Sequence, residues 1–305
     1  MTTDTASPPT PTETVARTEE HVEIAPAKPW PRKLGRLALH IVVVLFMIVW
    51  FTPVLGLFIS SIRTKTANAT SGWWEFVLNP VFTFYNYRQA FDVVGIGGSL
   101  STSLAIAVPA TILTTLLATM GGYALAQRFK GRAVVYLLLI ALLVVPPQVT
   151  LVPLLRAFEV VGINGTIPAV WLYQVGYTVP FGIFLVRGFI ASIPQELFEA
   201  AQLDGASSLR IFRSIVIPIS MPIMASLALM QFLWSWNDLL IPLIFLGGGD
   251  LSAPLTVQVA GLVQTTGEGE SMLLAAAFIS VALPLVLILS MQRFFVRGVL
   301  GGAVK

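Results

Sequence analysis

Polar side chains are scarce in this 305-residue chain, and those spaced to act together fall in two places. The first is Glu196 to Pro222, ELFEAAQLDGASSLRIFRSIVIPISMP, the most polar and tightly patterned stretch between two long apolar runs. Its acids Glu196, Glu199 and Asp204 stand near a helix start and a turn, and Arg210 and Arg213 follow, a set suited to polar contacts with another macromolecule. The second is dispersed: Gln148, Gln174, Tyr177, Gln231, Trp234 and Asn237 lie in three separate apolar runs. Amides, a phenol and an indole can hydrogen-bond or stack on a polar solute, although each amide taken singly reads first as a helix–helix hydrogen bond. Asp238 lies 19 residues beyond Ile219, about 28 Å along a helix, which puts it near a membrane boundary. It is either an interfacial acid or a charge in a solute path.

Other chemistries are missing from the sequence. No GxxxxGK[ST] phosphate loop occurs, so the backbone cradle and lysine that nucleotide hydrolysis needs must come from another chain. The histidines are His21 and His40, which leaves no HExxH zinc site and no evident imidazole base. GxSxG is absent as well, and no apolar run carries paired carboxylates of the kind a proton relay uses. There are no cysteines, which excludes disulfides and thiolate chemistry.

The elements that hold these residues must be membrane helices. With 56% hydrophobic and 11% charged residues and a mean hydropathy of +0.83, the chain has more apolar surface than a soluble core hides. Six runs are long enough to span a hydrocarbon core of about 30 Å: Leu37 to Ile59, Leu100 to Ala126, Ala133 to Leu155, Ile167 to Val186, Ile219 to Leu243 and Leu273 to Gln292. Arg132 and Arg156 are 24 residues apart, about 36 Å of helix, and so are expected at opposite interfaces. The predicted fold class is all-α, a polytopic membrane protein with six transmembrane helices.

Lys and Arg fix the expected orientation. With the N-terminus inside, and Arg17 and Lys28 of the distal tail left out, 12 basic residues fall inside and Arg63, Lys65, Arg88 and Arg156 outside. Both termini and the Glu196–Pro222 stretch are therefore expected in the cytoplasm. Residues 1–31, rich in Thr, Pro, Glu and Ala, are expected to be a disordered cytoplasmic tail rather than a signal peptide, and residues 32–305 the transmembrane domain.

Local patterns sharpen individual segments. Pro194 opens an amphipathic helix with Leu197, Ala200 and Ala201 on one face, Asp204-Gly205 turns the chain, and a second short helical stretch is expected from Ser207 to Ile217. The hairpin, about residues 192–218, is longer than a plain connector and reads as a docking surface or as an amphipathic hairpin on lipid headgroups. Pro146-Pro147 and Pro153 should break or bend the third run, and the second, longer than a span needs, should tilt or kink at Pro109 or Gly121-Gly122. Trp73, Trp74, Phe82, Phe84, Tyr85, Tyr87 and Phe91 in the first outer segment form an interfacial belt or a stacking surface. The outer segment from Gly247 to Ser271 is Gly-rich and acidic, with Asp250, Glu268 and Glu270.

At the hairpin the chain resembles the permease subunits of binding-protein-dependent ABC importers, whose cytoplasmic loop reads EAA, three residues, Gly, nine residues, Ile, one residue, an aliphatic, Pro. Glu199-Ala200-Ala201, Gly205, Ile215, Ile217 and Pro218 match at full spacing, with Ile217 in place of the commoner Leu. FTFYNYRQAF, ALAQRFKGR, FLWSWNDLLIPL and FFVRGVLGGAVK are similar to the second permease of maltose-type carbohydrate importers, and the resemblance runs from Leu37 to Lys305. It implies a type I importer permease fold in a bacterial or archaeal cell membrane. It further implies a second permease subunit, two ATPase subunits that bind ATP and magnesium, an extracytoplasmic solute-binding protein, and a disaccharide or oligosaccharide as cargo. This chain would be non-catalytic, bind no cofactor or metal, meet membrane lipid and have no nucleic-acid partner. The resemblance assigns ATPase coupling to Glu199, Ala200, Ala201, Asp204, Gly205, Ile215 and Pro218, with Gly205 permitting the tight turn.

Three other readings make different demands. A secondary transporter needs internal repeats and buried ion ligands. An intramembrane enzyme needs a nucleophile–base or metal constellation. An importer of amino acids or peptides would share the EAA pattern without reason to share the carbohydrate-type strings.

Overall fold

The computed structural model describes residues 32–247, 253–264 and 270–301. The expected N-terminal tail, Asp250 and Glu268 of the acidic segment, and residues 302–305 lie outside them. The described residues are helical: α1 (Arg32–Ile62), α2 (Lys65–Thr70), α3 (Tyr85–Asp92), α4 (Ile96–Ala126), α5 (Arg132–Val144), α6 (Pro147–Val161), α7 (Ile167–Ile190), α8 (Gln195–Leu203), α9 (Ser208–Ile211), α10 (Ile217–Asn237), α11 (Leu240–Leu246), α12 (Leu255–Gln264) and α13 (Glu270–Gly301). The chain forms two compact units that divide within α1, residues 1–51 and 52–305. In the first, α1 carries outward-facing apolar side chains throughout, among them Leu45, Phe46, Val49 and Trp50.

The core of the second unit is the pair α4 and α7. Side chains that large residues would hold apart are small here: Gly182 lies so close to α4 that an added Cβ would come 2.6 Å from the Ala118 Cβ, and one on Gly121 would meet the Ile183 side chain at 2.7 Å. The glycine pair at 121–122, expected to kink the helix, thus serves the close approach of two helices. Thr114 and Thr178 hydroxyls meet at 3.2 Å, and the Arg187 Nε donates to the Leu125 carbonyl at 3.2 Å. Residue numbers rise together along both helices from Ala118–Gly182 to Leu125–Arg187, so α4 and α7 are parallel. The chain must therefore recross between Ala126 and Ile167.

That crossing carries the break expected at Pro146-Pro147. Pro146 is extended (φ −65°, ψ 137°) and Pro147 opens α6, because a residue before proline is disfavoured in the helical region and proline cannot donate into the preceding turn. α5 and α6 are bent by 98°, so Arg132 and Arg156 are not the two ends of one helix about 36 Å long. With the bent pair counted as one crossing, α1, α4, α5–α6, α7, α10 and α13 make six.

α10 packs antiparallel to α4 and α7, with Leu227 against Gly182 and Ser235 at the far end against Gln174. The Trp236 indole N–H donates to the Ser280 carbonyl on α13 at 3.0 Å. The fifth apolar run is shorter than expected, since Asp238 leaves the helix (ψ 121°) and α11 starts separately. Beyond that break, the Leu255 N–H donates to Ser103 Oγ at 2.8 Å and tethers α12 to α4. In the segment that follows α1, Trp73 packs against Gly56, while Trp74, Phe82, Phe84 and Tyr85 are exposed.

Candidate functional site

The hairpin is built by backbone chemistry at its turn. α8 ends at Asp204, Gly205 takes φ +75°, and two reversed hydrogen bonds close the helix: Gly205 N–H to the Gln202 carbonyl and Ala206 N–H to the Ala201 carbonyl, both 3.0 Å. This is a Schellman closure, whose C′ position falls in the left-handed region that favours glycine. A Cβ on Gly205 would touch nothing within 4 Å, so the demand there is conformational alone. Ser207 then caps the next helix by accepting the Arg210 N–H at 3.4 Å.

The buried face of α8 differs from the expected one. Phe198 is the buried anchor, with Ala201 partly covered, and they pack with Ile190, Ile211 and Val216. Leu197 and Ala200 are exposed, as are Glu196, Glu199 and Leu203. The aromatic ring, with more surface to hide than the flanking Leu or Ala, sets the rotation of the helix. Ala201, Asp204, Ile215 and Arg210 border a cleft of about 210 Å³ between the two arms.

The second arm is not a separate short helix. α9 runs through a π-helical turn, Phe212–Val216, directly into α10, so that Ser208–Asn237 is one continuous helix of 30 residues, about 45 Å. The Ile217 N–H reaches back to the Phe212 carbonyl, which relieves the crowding that Pro218 would impose on a regular turn. The Tyr123 and Phe212 rings, 5.5 Å apart, tie this arm to the end of α4.

The far end of the same helix lines a cavity of about 260 Å³. Gln231, Trp234, Ser235 and Asp238 reach it from α10 and the residue that follows, at spacing i, i+3, i+4 and i+7, which is one helix face. Tyr173, Gln174, Tyr177 and Thr178 come from α7, and Gln148 from α6. Five of the six dispersed pathway residues are thus brought together. Asn237 is not among them: it lies on another face, exposed, with its Nδ2 donating to the Leu233 carbonyl at 2.8 Å.

Two amides in the cavity behave differently. Gln174 is engaged through both amide atoms, its oxygen accepting from Ser235 Oγ at 2.5 Å and its nitrogen donating to Asp238 Oδ2 at 2.9 Å. The Ile241 N–H adds a bond to Asp238 Oδ1 at 3.2 Å. Gln231 is 1% exposed, yet its Oε1 has no hydrogen-bond partner among the described residues. A buried acceptor left so costs about 1–3 kcal/mol. Sequence reasoning missed Tyr173, Thr178 and Ser235 and left Asp238 ambiguous; the i, i+3, i+4, i+7 spacing from Gln231 to Asp238 is the signal that joins Ser235 and Asp238 to Gln231.

Comparison with known proteins follows the same outline. Residues 110–301 match the family described as the binding-protein-dependent transport system inner membrane component. The chain is 44% identical to the osmoprotective compounds uptake permease protein GgtD of Synechocystis sp., over 88% of this chain and 92% of that one. It is 32% identical to the melibiose/raffinose/stachyose import permease protein MelC of Bacillus subtilis, over 84% and 91%. In fold it is similar to a chain of a bacterial ABC transporter for import of the acidic polysaccharide alginate, with TM-score 0.75, 18% identity, and 88% and 99% covered. The chain belongs to the binding-protein-dependent transport system inner membrane components, the multi-pass permease subunits of ABC importers.

Proposed function

We infer that this permease moves a disaccharide or oligosaccharide into the cytoplasm, driven by ATP that a separate pair of ATPase subunits hydrolyses. The observation that carries the reading is the unbroken helix Ser208–Asn237, one end of which belongs to the hairpin and the other to the cavity wall. A displacement of the hairpin is delivered to Gln231 and Trp234 without an intervening joint. Energy can then pass through differential contacts in two states, with no chemistry in this chain. Relatives that handle sugars, and a cavity walled by amides, phenols and an indole, support a saccharide as the cargo.

In this reading Glu199, Ala200 and Asp204 on the exposed side of the hairpin contact an ATPase subunit, which holds the ATP and magnesium. Gly205 shapes the turn, while Ile215 and Pro218 seat the second arm. A second permease subunit completes the pathway and an extracytoplasmic binding protein delivers the sugar. The hairpin end of the second unit carries Arg128, Lys130, Arg132, Arg187, Arg210 and Arg213, and the opposite end Arg63, Lys65, Arg88 and Arg156, a bias that favours a cytoplasmic hairpin and cytoplasmic termini.

The test is reconstitution of this chain with its partner permease, ATPase subunits and binding protein in proteoliposomes, scored by uptake of radiolabelled maltose, trehalose and melibiose. Uptake should require both internal ATP and the binding protein. Transport of any of these sugars by this chain alone under a proton or sodium gradient would overturn the reading.

A further inference from the structure

The cavity at the far end of α10 has more to say than that a solute passes it. Its volume, about 260 Å³, falls below the roughly 300–1,000 Å³ of complete small-molecule sites, so it suits part of a cargo rather than the whole. It also opens on a face where Gln148 and Trp234 are exposed. Of the described residues that line it, Gln231 has a buried side-chain acceptor, Oε1, with no partner, while the neighbouring Gln174 bridges Ser235 and Asp238. No lysine or arginine lines the cavity to neutralise the Asp238 carboxylate. The unmet demand of this site is therefore for hydrogen-bond donors without negative charge. Tyr173, Tyr177 and Trp234 add flat apolar surface beside those acceptors. A polyhydroxylated ring offers both halves at once, hydroxyl hydrogens at its rim and C–H groups on its face.

We propose that this chain holds a substrate subsite of its own, which takes one uncharged sugar ring of the cargo through hydroxyl donation to Gln231 Oε1 and Asp238. The proposal rests on the saccharide reading above and adds where, and by which atoms, this subunit grips the cargo. A ring carrying a carboxylate or phosphate would set its charge against Asp238 and leave Gln231 unmatched.

A buried amide oxygen without a partner gives a clean test, because an apolar side chain of similar shape removes an unmet acceptor and is expected to cost the fold little. In the reconstituted transporter, Gln231→Met should lower uptake of the accepted sugar at least tenfold, while its unfolding midpoint stays level or rises. Gln231→Asn, which keeps an uncharged amide oxygen near the position, should retain at least threefold more uptake than Gln231→Met. Wild-type uptake by Gln231→Met would overturn the subsite and leave the saccharide reading standing. Loss of uptake in both variants together with a lowered unfolding midpoint would assign Gln231 to packing and overturn it too. If the unmodified transporter takes up none of maltose, trehalose and melibiose, the saccharide reading fails first, and the subsite falls with it.

Discussion

Gly205 is the residue on which the hairpin's geometry turns, since the Schellman closure puts it at φ +75° with open space around its missing side chain. A β-branched residue there strains the backbone by about 1–2 kcal/mol without a clash, so the chain should fold while α8 loses its angle. Gly205→Val is expected to cut ATP-dependent uptake to less than a tenth, with assembly in the membrane unchanged by quantitative immunoblot. Gly205→Asn, which tolerates the left-handed region, should keep at least half. Equal uptake by both variants would show that the turn is not what matters. Ala200 tests the neighbouring surface. It is exposed on a face rotated away from Phe198, so Ala200→Trp should abolish co-purification of the ATPase subunits while leaving the unfolding midpoint within about 2 °C. Intact co-purification would move the docking surface elsewhere.

At the scale of elements, the parallel contact of α4 and α7 depends on small residues where the two backbones approach. Gly182→Val would put a Cβ 2.6 Å from the Ala118 Cβ and 3.1 Å from Leu227 Cδ2 and add two methyl groups beyond it, an overpacking that costs about 1–3 kcal/mol. A lowered unfolding midpoint in detergent is expected, partly restored by Ala118→Gly in the same chain. Failure of the second substitution to restore it would place the strain outside this contact. Much of this layer was legible in advance: the six apolar runs, the proline break after Val145 and the Asp204-Gly205 turn all follow from local composition and backbone chemistry. Rotation was not. Leu197, Ala200 and Ala201 share a helical face on paper, but tertiary burial of Phe198 decided which face turned inward. Helix continuity across Pro218 was equally hidden, because a proline reads as a break unless a π-helical turn admits it.

For the whole molecule, the cavity could not be seen in sequence because its walls come from α6, α7 and α10, far apart along the chain and joined only by the parallel crossing. Asn237, adjacent to Asp238 in sequence, points away, while Tyr173 and Gln231, 58 positions apart, share the cavity. The π-helical turn at Phe212–Val216 carries a last consequence, one for how such chains can change over generations. A π turn accommodates one residue more than a regular helical turn, and removing a residue rotates everything beyond it by about 100°. Deleting Ser214 would therefore aim the hairpin's docking face a quarter-turn or more away from its present bearing relative to the Gln231–Asp238 stripe, though every side chain at either end stayed the same. An insertion or deletion between Gly205 and Gln231 changes that bearing in a way no exposed point substitution there can, because the interval works as the tooth count of a gear.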